Sequence, residues 1–286
     1  MFLCIFAAQE IFMEHLMDKL NETIAFFKEL KVPQPRVGIV LGSGLGNFKD
    51  EIEIAAEVDY DQIPHFPVST VEGHHGKLIF GKLNGEQVVA MAGRFHYYEG
   101  YTADEVVYPI RVMKFLGIEA LLLTNAAGGV KKGMKVGDLM IIHDHISLSI
   151  ANPLIGKNFA ELGKRFPDMS EPYKKEFIEK AKNIATALSL PIIEGVYFGV
   201  TGPTFETRSE YKMISILGGD AVGMSTVQEV IAAVHLGLPV FAMSVITDVG
   251  IREEENVITH EEVLMAAKEA EPKFSSIFRE LIVSIN

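Results

Sequence analysis

The sequence predicts an α/β fold: a single domain in which a mixed, twisted β-sheet is flanked by helices. Three observations carry this. Apolar strand-like runs alternate with helix-period patterns along the chain, which implies a largely parallel sheet covered on both faces. Two of the runs, Lys77–Leu83 and Gln87–Ala92, are joined through Asn84-Gly85-Glu86, a hairpin signal that adds an antiparallel pair. Across the 286 residues there is no linker, low-complexity tract or internal repeat, so one domain is expected.

In chain order, Leu16, Leu20, Ile24 and Phe27 mark one apolar face of a helix over Met13–Leu30. Residues 1–12 are expected to be an extension, leaving 13–286 as the domain. Met1–Ala8 is apolar but lacks the basic flank and cleavage site of a signal peptide, and it falls short of the roughly 20 residues that cross a bilayer. Met13 and Met17 stand just ahead of the helical pattern. Strands are expected at Val37–Leu41, in the hairpin, and at Ala120–Thr124, Leu139–His143, Gly195–Val200, Ala221–Met224 and Pro239–Ile246. Helices are expected at Ala103–Leu116, Glu171–Leu188, Thr207–Leu217, Val227–Leu236 and Glu261–Ile282. Thr207 with Glu210, Thr226 with Glu229, and Thr259 with Glu262 all have capping-box spacing. The stretch from Ile146 to Ser170 shows little periodicity, and loops of that length are usually functional or interfacial.

Composition narrows the function. Hydrophobic residues make up 48% and charged residues 22% of the chain, an ordinary globular balance. The formal charge of −12, from 26 basic and 38 acidic residues, argues against a general nucleic-acid binder, and no membrane partner is expected. A lone cysteine, Cys4, excludes an internal disulfide and a cysteine zinc cluster and fits a reducing, cytoplasmic setting.

The segment from Gly93 to Tyr101 follows an apolar strand. Arg94 and His96 alternate on one face of its end, where open α/β sheets bind ligands. A cation and an imidazole there suit a small anion; they also suit a surface where a strand fades into a loop. Gly42-Ser43-Gly44-Leu45-Gly46 lets the backbone turn sharply beside a ligand. It is not a dinucleotide fingerprint, because Asn47 stands where the third glycine belongs. Gly76 to Lys82 mimics a phosphate-binding loop, but Leu83 replaces the serine or threonine and the residues between read as a strand. Ser225 falls at a helix N-terminus, where it either helps bind an anion or shares in capping. Glu206 stands just before a cap, beside Phe205, either as a base acceptor or as a helix-start charge. Asp248 ends an apolar strand, as a ligand group or a solvated turn residue. His260 opens the last helix. His143-Asp144-His145 has no third convergent ligand, so no metal is expected.

Together these segments resemble the purine nucleoside phosphorylase family, trimeric low-molecular-weight type, from about Val37 to Ile285. The likeness runs through residues 42–46, Gly73-His74-His75-Gly76, Gly93 to Tyr101, Thr124 to Gly129, Val136-Gly137-Asp138, Asp144 to Ile146, Arg165 to Ser170, Gly202 to Glu206, Ala221 to Thr226 and His260 to Leu264. The resemblance implies a nucleoside phosphorylase-like fold and reversible phosphorolysis of purine (deoxy)ribonucleosides to free base and (deoxy)ribose 1-phosphate in purine salvage. It implies phosphate bound by Ser43, His74, Arg94, His96, Ser225 and the Ala126 N–H. Ribose would meet Tyr98, Met224 and His260, and the base Phe205, Glu206 and Asp248, with His96, Glu206, Asp248 and His260 as the catalytic set. Phe166 would reach a neighbouring subunit's ribose site in a homotrimer. No cofactor or metal is implied; orthophosphate is a co-substrate.

Arg94 suits a bidentate grip on phosphate, and Glu99 is expected to orient His96 and raise its pKa. Relatives selective for 6-oxopurines commonly carry Asn where this chain has Asp248. An ionised Asp only accepts hydrogen bonds and would welcome a 6-amino group, whereas Glu206 prefers the N1–H of inosine and guanosine. Inosine and guanosine are expected, with wider tolerance. The rivals are a methylthioadenosine or adenosine phosphorylase and a non-catalytic nucleoside-binding protein of the same fold. The first lacks the Phe-Glu pair and the Arg-Phe-His run, and the second would be expected to lose part of the phosphate set.

Overall fold

The apolar runs become strands, and four of the eight expected strands keep their bounds to within a residue. The computed structural model describes residues 2–68, 76–250 and 259–285, with side chains from Leu16 onward. Helix α1 (Phe2–Leu30) leads to strands β1 (Val37–Leu41), β2 (Glu53–Asp59), β3 (Lys77–Leu83) and β4 (Glu86–Ala92), then α2 (Ala103–Leu116), β5 (Ala120–Gly129) and β6 (Leu139–Ile146). The chain continues through α3 (Lys175–Ala187), β7 (Ile192–Gly199), α4 (Arg208–Ile216), β8 (Ala221–Gly223), α5 (Val227–His235), β9 (Val240–Val249) and α6 (His260–Ser284). Helix α1 runs unbroken across residue 12. No described helix is long and apolar enough to cross a membrane.

The strands form one nine-stranded sheet in the order β2-β3-β4-β1-β5-β8-β7-β6-β9, and β5 also pairs with β9. The last five strands therefore close on themselves, while β2, β3, β4 and β1 extend as an open arm. Strands β4, β1, β5 and β9 run parallel, so their C-terminal ends meet at one edge of the molecule. Every residue of β1 is buried, as expected of a central parallel strand. The β3–β4 hairpin turns on Asn84 and Gly85, both at positive φ (49° and 88°), as a two-residue turn matched to strand twist requires.

Some bounds differ from expectation. Strand β2 was not foreseen: it is an edge strand paired only with β3, mostly solvent-facing, and its sequence EIAAEVD is poor in β-formers. Strand β5 runs on through Asn125–Gly129 because β9 pairs with it along its length, with a bulge at Ala127/Gly128. Helix α3 starts at Lys175, after Pro172, since a residue before proline is disfavoured in the helical region. The capping boxes at Thr102, Thr207 and Thr259 form. The one expected at Thr226 does not: Thr226 has φ 71° and makes no side-chain cap bond, and Glu229 turns to Arg94 instead.

Candidate active site

At the shared C-terminal edge of β1, β4, β5 and β9 lies a cleft of about 320 Å³. It collects residues from segments far apart in sequence. Ser43 follows β1, Arg94, His96 and Tyr98 follow β4, and Ala126 sits on β5. Phe205 and Glu206 precede α4, Met224 and Ser225 link β8 to α5, Asp248 lies near the end of β9, and His260 opens α6. His74 lies outside the described residues. Phe166 does not line the cleft; it is 85% exposed, with the Arg165 guanidinium 5.5 Å from its ring.

The glycine turn after β1 serves protein packing. A Cβ on Gly42 would come within 2.8 Å of the Thr124 carbonyl oxygen, and one on Gly44 within 2.5 Å of Ala267. Bare backbone therefore lets Ser43 sit between β5 and α6, and the Gly42 N–H donates to Thr124 Oγ1 at 2.8 Å.

One end of the cleft holds a buried guanidinium. Arg94 is 1% exposed. Its Nε and Nη2 donate to the two carboxylate oxygens of Glu229 at 3.1 and 2.6 Å. Its Nη1 donates to the Thr124 carbonyl at 2.6 Å and to Ser225 Oγ at 3.2 Å. The expected bidentate grip on phosphate is thus corrected for one fork: the Nε–Nη2 pair belongs to Glu229, and Nη1 is engaged by Thr124 and Ser225. His96 Nδ1 lies 3.0 Å from Glu99 Oε1, which also accepts the His96 backbone N–H at 2.8 Å. The imidazole stacks on Tyr98 at 4.7 Å. The expected rise in the His96 pKa is also corrected. Burial lowers it and outweighs the opposing pull of Glu99, with Arg94 adding to the fall. A neutral ring that donates Nδ1–H to Glu99 presents Nε2 as an acceptor.

The other end is anionic and more open. Phe205 is 41% exposed and Glu206 is half-buried. Burial raises the Glu206 pKa, Asp248 adds repulsion, and Tyr211 opposes through a hydrogen bond. Tyr211 Oη donates to Asp248 Oδ2 at 3.3 Å and also bonds Glu206, so one phenol stands between two carboxylates. Burial holds Tyr211 far above the ordinary tyrosine range, which keeps it a donor. Thr247 Oγ1 lies 3.3 Å from Asp248 Oδ1. Between the ends, Tyr98 and Met224 pack against Gly202, whose added Cβ would meet Met224 Sδ at 2.4 Å and the Tyr98 ring at 3.2 Å.

Sequence reasoning missed Glu229, Tyr211 and Thr247. Glu229 had a signal, its spacing from Thr226, but that spacing suggested a cap. Among the described residues no group of three or more His, Cys, Asp or Glu side chains could hold a metal ion.

Comparison with known proteins places the family and the fold. Residues 36–283 match the family model described as the phosphorylase superfamily. The chain is 49% identical over 263 residues to purine nucleoside phosphorylase 1 of Geobacillus stearothermophilus, covering 92% of this chain and 96% of that protein. It is 46% identical to the Bos taurus purine nucleoside phosphorylase, covering 88% and 90% respectively. Among solved structures it is similar to isoform 2 of the Schistosoma mansoni enzyme in complex with cytosine and ribose-1-phosphate. The TM-score there is 0.89 at 42% identity, covering 94% of this chain and 97% of that one. The chain belongs to the phosphorylase superfamily, within its purine nucleoside phosphorylase family.

Proposed function

We propose that the protein catalyses reversible phosphorolysis of purine (deoxy)ribonucleosides, inosine and guanosine foremost, releasing the base and (deoxy)ribose 1-phosphate. The observation that carries this is one cleft holding a buried guanidinium, imidazole and serine at one end and two carboxylates at the other, with Tyr98 and Met224 between them. Phosphate sits against Ser43, Arg94, His96, Ser225 and the Ala126 N–H, with His74 completing the set. The neutral His96 Nε2 accepts from a phosphate hydroxyl while Arg94 and Ser225 meet its charged oxygens. A phosphate oxygen bonds to the anomeric carbon as the glycosidic bond breaks, and that bonding pair passes to the purine. The purine leaves with that pair and takes up a proton from solvent water at N7; Asp248 accepts the resulting N7–H and Glu206 accepts the N1–H. His260 and Tyr98 hold the ribose. No cofactor or metal takes part, because phosphate is itself the nucleophile. An ionised Asp248 also accepts from a 6-amino group, which admits adenosine, but adenosine has no N1–H for Glu206 and is the poorer substrate.

In this reading the protein is a cytoplasmic homotrimer. Phe166, exposed on the irregular stretch between β6 and α3, reaches the neighbouring subunit's ribose site. Residues 13–286 are the catalytic domain and 1–12 an extension. The test is hypoxanthine release from inosine with and without orthophosphate. Release only with phosphate is expected. Equal release without it makes the protein a hydrolase, no release makes it a binding protein, and exclusive use of adenosine overturns the base preference.

A further inference from the structure

Ser225 has one hydroxyl proton and two lone pairs, and its neighbours take up both lone pairs. Arg94 Nη1 donates to Ser225 Oγ at 3.2 Å. Thr226 Oγ1 lies 3.1 Å from the same oxygen. Thr226 Oγ1 itself accepts from Asn125 Nδ2 at 2.9 Å, which directs its own proton onto Ser225. Nearby Tyr197 Oη already accepts the Ser225 backbone N–H at 3.4 Å. The Ser225 proton is left to two acceptors, the Tyr197 phenol oxygen, which also bonds the Ser225 side chain, and whatever fills the cleft that Ser225 lines.

The backbone is bent to hold this row. The Val227 N–H donates to the Ser225 carbonyl at 2.7 Å, closing a tight turn around Thr226 at φ 71°, ψ −52°. That conformation is strained for a β-branched residue. The Thr226 hydroxyl does no capping for α5, and among the described residues Asn125 Oδ1 is buried without a hydrogen-bond partner. Both side chains are almost fully buried, and the amide contributes only its donation to Thr226.

We propose that Asn125 and Thr226 are positioning residues that keep the Ser225 hydroxyl a hydrogen-bond donor, turned to a phosphate oxygen when phosphate fills the cleft. The inference rests on the cleft being a phosphate site. A one-way row, Asn125 to Thr226 to Ser225, strengthens each donor after the first. Reversing the Asn125 amide would reverse the row and draw the Ser225 proton inward, so the orientation of one amide sets the polarity of the serine.

The test compares Thr226→Val, which keeps the branched shape, with Thr226→Ser, which keeps the hydroxyl. Thr226→Val is expected to raise KM for phosphate about tenfold, the loss of roughly one net hydrogen bond, while KM for inosine stays within about twofold. Thr226→Ser should restore most of the affinity, and the valine effect should vanish in a Ser225→Ala background. Unchanged or tighter phosphate binding in Thr226→Val overturns the proposal, as does an equal loss in the Ser225→Ala background. Calorimetric titration with inorganic phosphate alone reads the same shift, so a wild-type protein inactive on inosine sinks the functional reading without blocking this test. If Thr226→Val does not fold, Asn125→Ala replaces it: weaker phosphate binding is expected, and unchanged binding overturns the proposal.

Discussion

The two ends of the cleft are built differently. At the phosphate end the cation is sealed and every donor is aimed: Arg94 is 1% exposed and Glu229 2%, and bonds of 2.6 to 3.2 Å fix the guanidinium on three partners. At the base end Phe205 is open to solvent and Glu206 half-open, and a single phenol links Glu206 to Asp248. A rigid, desolvated end suits a reactant that never changes, since preorganised donors need no reordering when charge moves. A looser end suits a family of bases. The difference predicts that changes at the phosphate end abolish turnover, whereas changes at the base end redirect it.

The largest effect is expected from Arg94→Ala. It removes the cation and leaves the Glu229 carboxylate buried without its fork. Breaking such a pair destabilises by about 3–5 kcal/mol. Loss of the preorganised donor should lower kcat/KM for phosphate by about a hundredfold to a thousandfold. Denaturant melts and phosphate-dependent kinetics read the two losses separately. Arg94→Lys should recover part of the stability and little of the activity, because an ammonium cannot match the Glu229 fork. Wild-type phosphate kinetics in either variant would mean that the sealed end is only a structural brace.

The same contrast explains what was legible beforehand. Ser43, Arg94, His96 and Asp248 were readable because each stands at or just past the end of an apolar strand, and parallel strands place their C-terminal ends together. Helix α2 keeps its expected bounds, and the structure closes it with the Thr102 cap and with Gly117 at φ 111°. Glu229 and Tyr211 were not, because their roles depend on where α5 and α4 dock rather than on local pattern. Glu229 even carried a misleading local signal, for its spacing from Thr226 fits a cap that the positive φ of Thr226 and the pull of Arg94 prevent. The charge of His96 was misjudged for a related reason: Glu99 is visible three residues away, but burial is a property of the whole fold.

A second substitution probes the open end. Asp248→Asn turns an acceptor into a group that both donates and accepts, while Thr247 and Tyr211 keep partners of the same shape. The ratio of inosine to adenosine kcat/KM should rise by about tenfold to a hundredfold, from one gained donor to O6 and one lost acceptor for the 6-amino group. KM for phosphate should stay within about twofold. An equal loss for both nucleosides would show that Asp248 acts on the reaction rather than on the choice of base, and a fall in the ratio would reverse the contact assigned to it.

The smallest effect tests how the sealed end sets the charge of His96. Glu99 raises the His96 pKa against the larger lowering by burial, so Glu99→Gln should lower it further. Because the folded value lies below the unfolded one, the neutral ring contributes stability above about pH 6.5. That contribution is lost as pH falls from the unfolded value through the folded one. Glu99→Gln should widen this window of acid sensitivity, and NMR titration of the imidazole reads the shift directly. The glutamine can still accept the Nδ1–H through its carbonyl oxygen, so the tautomer survives while the charge-assisted bond weakens. KM for phosphate should then rise by roughly tenfold or less, matching loss of up to about 1.5 kcal/mol. A His96 titration that moves upward in Glu99→Gln would mean that the carboxylate does not face the ring in solution, and the sealed end would lose its claim to being preset.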